Sequence, residues 1–321
     1  MRYVLLSALL CCVQFTQAQS NPAYPTRPIR FIVPYAPGGG ADIVARATSQ
    51  KMSEGLGVTV VVDNRVGAAG DIGSALAAKA APDGYTLLMG NVGPIAINVS
   101  LNKQRAFDPI TELAPVSMMA IYPNVLVVNP SLPAKSLAEF VTLARSRPGQ
   151  LSYASSGNGS STHLAAELLK SMAHINITHI PYKGGSQAVV DVISGQVQLY
   201  FSSAPGALPH VKTGKLRALG VTSTQRLRAA PDIAAIAELG YPGYDAVNWV
   251  GVLVPARTPA NIIQRLHTEI VKVLRHADIE ERLTAQGGQA ETGTPEQFSA
   301  HIKSEIKKWA QVIKAAGLKA E

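Results

Sequence analysis

Short apolar runs alternate along the chain with longer stretches in which apolar residues recur every three or four positions. The runs have the length of buried strands, and the longer stretches have the period of amphipathic helices. The first series predicts strands at 29–33, 58–62 and 85–89 and helices at 41–54 and 71–80. Strands separated by single helices form βαβ units, so this pattern predicts an α/β fold with a mostly parallel sheet.

Residues 113–119 are predicted to be extended, and a second series of the same kind begins after residue 121. It predicts strands at 124–129, 151–154, 178–180, 197–201 and 216–221, and helices at 136–147, 162–172 and 187–193. Pro and Gly punctuate 226–244, which we expect to be irregular. Because the 321 residues suffice for two ordinary domains, the two series indicate two α/β units of similar size.

The chain ends with one further predicted strand, at 249–254, and two helical stretches, at 260–276 and 295–316. The first stretch carries an apolar stripe that needs a sheet to cover it, and either unit could supply that sheet. We predict that the chain returns to its first unit, which makes that domain discontinuous. The predicted domains are residues 19–121 together with 246–321, and residues 122–245.

The first 18 residues have the pattern of a secretory signal peptide. Arg2 precedes an apolar run that ends at Val13, which is too short to span a bilayer, and small residues place the cleavage after Ala18. A lipid anchor on Cys11 is the alternative, but Leu10 stands where such a site needs a small residue. We therefore expect a soluble protein outside the cytoplasm.

Composition changes this picture in two ways. The two cysteines, Cys11 and Cys12, both lie in the leader, so the mature chain can hold neither a disulfide nor a catalytic thiol. Lys and Arg number 29 against 21 Asp and Glu, and a net charge of +8 could attract nucleic acid. The basic residues are spread along the chain without interleaved aromatic residues, which disfavours nucleic-acid binding.

Two loops, each between a predicted strand and a helix, are the main candidates for a binding site. Residues 35–42 include three consecutive glycines, and residues 155–163 combine hydroxyl side chains with Gly157 and Gly159. Bare backbone at a helix N-terminus suits an anion such as a carboxylate. Each loop could serve helix capping alone, whereas a pair of loops, one in each unit, could hold opposite ends of one small anion.

Motifs of enzymes are incomplete or missing. Gly38 and Gly40 begin a dinucleotide-binding pattern and Asp63 follows at a suitable distance, but Ile43 stands where the third glycine belongs. The sequence contains no phosphate-binding GxxxxGK[ST] loop, no GxSxG nucleophile elbow and no HExxH zinc motif. An exported α/β enzyme, dependent on a nucleotide, is the alternative to a binding protein.

The chain also carries longer ordered motifs. They are YPTRPIRFIVPYAPGGGADIVAR at 24–46, VDNRVGAAGDIG at 62–73, APDGYTLL at 81–88, YASSGNGS at 153–160, HIPYKGG at 179–185 and GKLRAL at 214–219. Together they resemble the Bug family, the extracytoplasmic solute receptors of tripartite tricarboxylate transporters. The resemblance covers essentially the whole mature chain.

The resemblance implies a two-domain periplasmic-binding-protein fold of type II, with the ligand cleft between the domains. It implies a periplasmic receptor, without catalysis, that captures a small carboxylate: a dicarboxylate, an amino acid or an aromatic acid. The partners would be the membrane subunits of a tripartite tricarboxylate transporter. A sensor that presents the ligand to a signalling protein is an alternative. We expect a monomer with no cofactor, no metal and no nucleic acid.

The resemblance also implies which residues bind the ligand. They come from four loops: Tyr35, Pro37, Gly38, Gly39, Gly40, Ala41, Asp42, Asn91, Val92, Ser155, Ser156, Gly157, Ser160, Ser161, Thr162, His163, Ser203 and Ala204. Two of them have an open role. Asp42 could favour the helix dipole or take a ligand ammonium group, and His163 could bond the loop backbone or touch the ligand.

Overall fold

A computed structural model describes residues 24–318, apart from Ala36, Gly38, Gly39, Lys103, Lys183 and Gly184. The predicted leader, residues 1–18, lies outside the described residues. Within the part of the chain that is described, none of the helices combines the length and the hydropathy needed to cross a bilayer.

The described residues contain eleven strands, which form two separate sheets. In chain order the strands are β1 (Ile29–Val33), β2 (Val60–Asn64), β3 (Thr86–Asn91), β4 (Leu113–Tyr122), β5 (Asn124–Val128), β6 (Ser152–Ser155), β7 (Thr178–Pro181), β8 (Leu199–Ser203), β9 (Arg217–Val221), β10 (Asn248–Pro255) and β11 (Gln289–Ala290).

Ten α-helices accompany the strands in the same described part of the chain. They are α1 (Gly40–Leu56), α2 (Asp71–Ala78), α3 (Asn98–Leu101), α4 (Leu137–Ser146), α5 (Ser161–Ala173), α6 (Gly185–Ile193), α7 (Ala204–Lys212), α8 (Ala260–Leu274), α9 (Ala277–Ala285) and α10 (Pro295–Ala315). A π-helical turn, Gly93–Ile97, precedes α3. The two predicted series of strands and helices are thus confirmed, with ends shifted by a few residues.

The two sheets share one strand order. The first runs β2-β1-β3-β10-β4-β11, and the second runs β7-β6-β8-β5-β9. In each sheet a central strand, β1 or β6, is parallel to both neighbours, while an inserted strand, β10 or β5, is antiparallel to both of its own. We call the part built on β1–β4, β10 and β11 the first lobe, and the part built on β5–β9 the second lobe.

The prediction of mostly parallel sheets is wrong. Among the described residues, four strand pairings are parallel and five are antiparallel. The reason is the route of the chain. β4 runs toward the second lobe, and Pro123 is the single residue between β4 and β5. β5 therefore begins at the end of the second sheet where the strands β6 and β8 finish, with Asn124 paired to Ser203. A strand that enters there must be antiparallel, because it has no helical crossover to reverse it.

The chain passes between the lobes at two crossings. The first is the step from Tyr122 to Asn124, and the second is the segment 222–247 between β9 and β10. Consequently β10, β11 and α8–α10 follow the second lobe in sequence, while β10 and β11 lie in the first sheet. The boundaries of the two domains themselves stay a prediction.

Buried strands form the cores of the lobes, and side-chain caps stabilise the ends of helices. Every residue of β10 from Trp249 to Pro255 is buried, as expected of a central strand covered on both faces. Thr294 caps α10 in a reciprocal arrangement with Gln297, and Ser160 caps α5 by accepting a hydrogen bond from the His163 N–H at 3.2 Å.

Several elements lie where no regular structure was predicted: α3, α7, α9 and β11. Pro205, Gly206 and Pro209 lie inside α7 and would ordinarily indicate a turn. Pro205 is compatible with the first helical turn, because the N–H groups there have no partner within the helix, whereas Pro209 lies in the helix interior and removes one N–H donor.

Candidate functional site

A cavity of about 370 Å³ is lined by residues of both lobes. The lining residues are Tyr35, Ala41, Asn91, Tyr122, Pro123, Asn124, Ser156, Ser161, Thr162, Gly185, Tyr200, Ser203, Ala204, Asn248, Val250, Gln286 and Gly287. Most of them lie at or near the ends of strands and the beginnings of helices, together with Pro123 of the first crossing and with Gln286 and Gly287, which follow α9. None of these described lining residues has a charged side chain.

Four helices begin at this cavity. Ala41, Ser161, Gly185 and Ala204 line it, and each is the first or second residue of α1, α5, α6 or α7. The first N–H groups of a helix have no partner within the helix, and the helix dipole places partial positive charge there. One N-terminus from the first lobe and three from the second therefore make the cavity attractive to an anion without any Lys or Arg in its described lining.

The first loop is fixed by a buried carboxylate behind it. The Asp42 side chain is buried and accepts hydrogen bonds from Arg46 Nε at 2.9 Å and from Asn64 Nδ2 at 2.9 Å. Asn64 Nδ2 also donates to the backbone carbonyl oxygen of Tyr35 at 3.0 Å. The carboxylate of Asp42 thus ties β2 to the loop and to α1, and Asp42 is not among the residues that line the cavity.

The second loop is held by side chains of its own helix. The Ser156 N–H donates to Thr162 Oγ1 at 2.9 Å, and the Gly159 N–H donates to His163 Nδ1 at 3.0 Å. An imidazole nitrogen that accepts a hydrogen bond carries no proton, so this loop conformation requires His163 with a free Nδ1 lone pair.

Behind the second loop, two histidine rings stack. The rings of His163 and His179 have centroids 3.9 Å apart and planes inclined by 8°, and His179 Nε2 lies 2.6 Å from Ser155 Oγ. Burial lowers the pKa of His163 to about 4, helped by the charge of Lys170. Burial also lowers the pKa of His179 to about 4, helped by His163. Both rings are therefore uncharged at neutral pH, which permits the stack.

Three buried polar atoms at the crossings have no hydrogen-bond partner in the described part of the chain. They are the Tyr122 hydroxyl, Asn124 Nδ2 and Asn248 Oδ1, and all three residues line the cavity. Burial raises the pKa of Tyr122 to about 12, so its hydroxyl keeps its proton. Buried polar groups in folded proteins are rarely left unpaired, so this set marks a place for a ligand or for water.

The structure brings part of the predicted set of ligand-binding residues together. Those that line the cavity are Tyr35, Ala41, Asn91, Ser156, Ser161, Thr162, Ser203 and Ala204. Those that are described but do not line it are Pro37, Asp42, Val92, Ser155, Gly157, Ser160 and His163. Gly38 and Gly39 lie outside the described residues, and Gly40 is described only by its place at the start of α1.

Other lining residues were missed by the sequence analysis: Tyr122, Pro123, Asn124, Gly185, Tyr200, Asn248, Val250, Gln286 and Gly287. Gly185 ends one of the ordered motifs, so a signal was present there. The crossing residues lie at strand ends that the search for Gly-rich loops passed over. Gln286 and Gly287 follow α9, which was not predicted, and their contact with the cavity depends on tertiary structure.

Three other cavities among the described residues, of about 470, 460 and 550 Å³, contain no predicted ligand-binding residue. The lining of the first includes Asp245, Glu291 and His301, and the start of a single described helix, α10, lies beside it through Gly293 and Gln297. The described residues also contain no group of three or more His, Cys, Asp or Glu side chains that could hold a metal ion. The smaller cavity between the lobes is therefore the candidate site.

Comparisons with known proteins agree with this geometry. Residues 44–318 match the family model described as "Tripartite tricarboxylate transporter family receptor". The chain is 39% identical over 301 residues to the protein BugT of Bordetella pertussis, an alignment that covers 94% of this chain and 92% of BugT.

Solved structures are similar along the same length. The R. palustris protein Rpa4515 with adipate is 36% identical, with a TM-score of 0.77 over 93% of this chain and 100% of that chain. MatC of Rhodopseudomonas palustris with bound malate is 29% identical, with a TM-score of 0.73 over 90% of this chain and 100% of that chain. The periplasmic binding protein BugD is 31% identical, with a TM-score of 0.73 over 93% of this chain and 100% of that chain. These similarities confirm the predicted two-domain type II fold of periplasmic binding proteins.

Proposed function

Because the chain belongs to the receptor family of tripartite tricarboxylate transporters, the Bug family, we propose that it captures a small carboxylate between its two lobes and delivers it to the membrane subunits of such a transporter. The chain is a solute-binding receptor of that family. The proposal adds the class of ligand, the site and the partner, and it assigns the receptor no chemistry of its own.

The observation that carries the proposal is the convergence of four helix N-termini on one uncharged cavity. A carboxylate is an anion with several hydrogen-bond acceptors, so it satisfies free backbone N–H groups and the positive ends of helix dipoles at once. A cation would face the same dipoles unfavourably. A volume of about 370 Å³ lies in the lower part of the usual range for small-molecule sites, about 300–1,000 Å³.

The similar structures support the same class of ligand. Adipate is bound in one of them and malate in the other, and both compounds are dicarboxylates. The distribution of N-termini suits such a ligand, because α1 belongs to the first lobe while α5, α6 and α7 belong to the second. An acid gripped from both lobes stabilises the closed arrangement of the receptor, with the two crossings as the hinge.

The proposal includes the location and the organisation of the receptor. The chain acts in the periplasm as a monomer, after cleavage behind Ala18, and needs neither a metal nor a cofactor. Its domains are residues 19–121 with 246–321, and residues 122–245. The remaining predicted residues of the two loops, including Gly38 and Gly39, belong to the binding site through their backbone groups.

The test is a calorimetric and thermal-shift panel on the mature chain. The panel contains monocarboxylates, dicarboxylates, aromatic acids, amino acids and dinucleotides. A binding acid at one hundred times its Kd adds about 2.7 kcal/mol to the free energy of unfolding, which gives a clear rise in Tm. Stabilisation by a dinucleotide alone would refute the proposed carboxylate ligand and favour a nucleotide-dependent activity.

A charge variant locates the site. Asn91 lines the cavity, and its Oδ1 accepts a hydrogen bond from the Gly93 N–H at 3.1 Å, which an aspartate can also accept. Asn91→Asp therefore keeps the local geometry and adds a negative charge. Asn176→Asp, on the segment between α5 and β7, is the control that adds the same charge outside the cavity. Loss of carboxylate binding in both variants would contradict the assignment of the site.

A further inference from the structure

The first crossing and the start of β10, which follows the second crossing, supply three polar side chains whose buried atoms have no partner in the described part of the chain. These are the Tyr122 hydroxyl, Asn124 Nδ2 and Asn248 Oδ1, and we call them the crossing triad. All three residues line the cavity between the lobes, and Asn124 is only 5% exposed. A buried polar atom without a hydrogen-bond partner is unfavourable, so a ligand that pairs all three atoms gains affinity.

The register of the sheets places these side chains together. Tyr122 of β4 and Asn248 of β10 are direct partners across an antiparallel ladder, so their side chains project from the same face of the first sheet. Asn124 follows two residues after Tyr122 and is paired with Ser203, which also lines the cavity. The crossing triad thus joins the first sheet to the second at the point where the chain crosses.

Neighbouring groups fix two of the three residues while their polar ends remain unpaired. The backbone N–H of Asn124 donates to Oγ1 of Thr222 at 2.8 Å, and Thr222 is the residue directly after β9, where the second crossing begins. The Tyr122 ring lies against Gly288, where a Cβ atom would be 2.6 Å from a ring carbon. The Tyr122 ring and the buried Asn124 side chain are held by packing, so ordering them costs little conformational entropy when a ligand binds.

The chemistry of the crossing triad selects among ligand groups. Asn124 Nδ2 only donates, Asn248 Oδ1 only accepts, and the Tyr122 hydroxyl can do either. An alcohol group donates one hydrogen bond and accepts two, so it can pair with all three. A carboxylate has no proton for Asn248 Oδ1, an ammonium group cannot accept from Asn124 Nδ2, and a methylene group pairs with none.

We propose that the crossing triad binds a hydroxyl group of the ligand, so that this receptor selects hydroxycarboxylates over the same acids without the hydroxyl. The inference rests on the proposed function, in which the helix N-termini hold the carboxylate of the same molecule. The crossing triad then reads the second polar group, at the hinge between the lobes.

The test compares matched acids by calorimetry on the mature chain. The pairs are malate with succinate, lactate with propionate, and 4-hydroxybenzoate with benzoate, and aspartate is included against malate. We expect the hydroxylated member of at least one pair to bind at least about tenfold more tightly than its partner, because a site built to pair a hydroxyl discriminates strongly against its absence. We also expect malate to bind more tightly than aspartate.

Variants assign that preference to the crossing triad. Tyr122→Phe and Asn248→Ala should each lower the affinity for the hydroxylated acid by about tenfold or more while changing the affinity for its partner much less. Tyr241→Phe removes a tyrosine hydroxyl outside the cavity and is the control. The wild-type panel decides the inference even where a variant fails to fold.

The possible failures are distinct. If the wild-type chain binds none of the acids, the proposed function is refuted and the inference with it. If the chain binds acids but binds both members of each matched pair with equal affinity, or binds aspartate more tightly than malate, the inference alone is overturned. The inference is also overturned if both variants retain the wild-type preference.

Discussion

Gly287 tests whether the two lobes must approach closely for the ligand to bind. It lines the cavity from the first lobe, and a Cβ atom added there would overlap Pro205 Cδ and lie 3.0 Å from Ala204 Cβ, both in α7 of the second lobe. Ordinary contacts of a Cβ begin at about 3.4 Å, so Gly287→Ala forces the lobes apart by several tenths of an ångström at this point.

The cost of Gly287→Ala has two parts that can be separated. The backbone of Gly287 has φ of 72°, where a residue with a Cβ costs about 1–2 kcal/mol in any context. The steric overlap adds about 1–3 kcal/mol, and only in the closed arrangement. If the open arrangement relieves the overlap, the Kd for the carboxylate rises by roughly 5- to 150-fold.

Gly214 provides a matched control for the backbone. Its φ is 71°, and a Cβ added there would meet nothing within 4 Å. Gly214→Ala should therefore lose a similar amount of stability, roughly 2–4 °C in Tm for each kcal/mol, without any loss of affinity. Calorimetric titration with the tightest-binding acid of the panel, together with thermal unfolding, measures both quantities. Equal affinities in the two variants would refute the requirement for close approach.

Three further predictions concern charge and protonation. Asn91→Asp should raise the Kd for a carboxylate by about 100-fold, because two like charges about 6 Å apart repel by roughly 3 kcal/mol at an effective dielectric constant of about 20. Calorimetry measures this Kd, with Asn176→Asp as the control. Stability should fall as the pH falls from about 6.5 to about 4, because unfolded chains protonate their histidines first while folded His163 and His179 have pKa values of about 4; a flat urea-unfolding profile over this range would contradict the buried stack. Glu305→Leu should cost about 2–4 kcal/mol in urea unfolding, because the buried carboxylate accepts from the indole N–H groups of Trp249 at 3.1 Å and Trp309 at 2.9 Å; a loss below 1 kcal/mol would contradict this.

Much of the fold could be predicted because its signals are local. Apolar runs bounded by turn residues identified β1 to β10 nearly in full, and the helical period identified α1 and α10. The elements that were missed carry contrary local signals, such as the prolines of α7. Helices as short as α3 and α7 depend on tertiary contacts for their stability, and no local pattern records those contacts.

The candidate site could likewise be predicted only in part from the sequence. Glycines and hydroxyl residues after buried strands pointed to both loops, since the requirement for bare backbone at a helix N-terminus leaves a local trace. Asp42 and His163 lie in those loops, yet their polar atoms hydrogen-bond the protein itself: Asp42 with Arg46 and Asn64, and His163 with Gly159. The sequence alone left both roles open, because a side chain's partner depends on what the fold places opposite it.

The sequence by itself determined the kinds of elements, their order and the presence of two anion-receiving loops. Only the tertiary structure decided that β5 and β10 enter their sheets antiparallel, because that direction follows from where the chain crosses between the lobes. It also decided that Tyr122 and Asn248, 126 positions apart in the numbering, are cross-strand partners at the cavity. Proximity between distant residues is a property of strand pairing, which the order of residues along the chain does not contain.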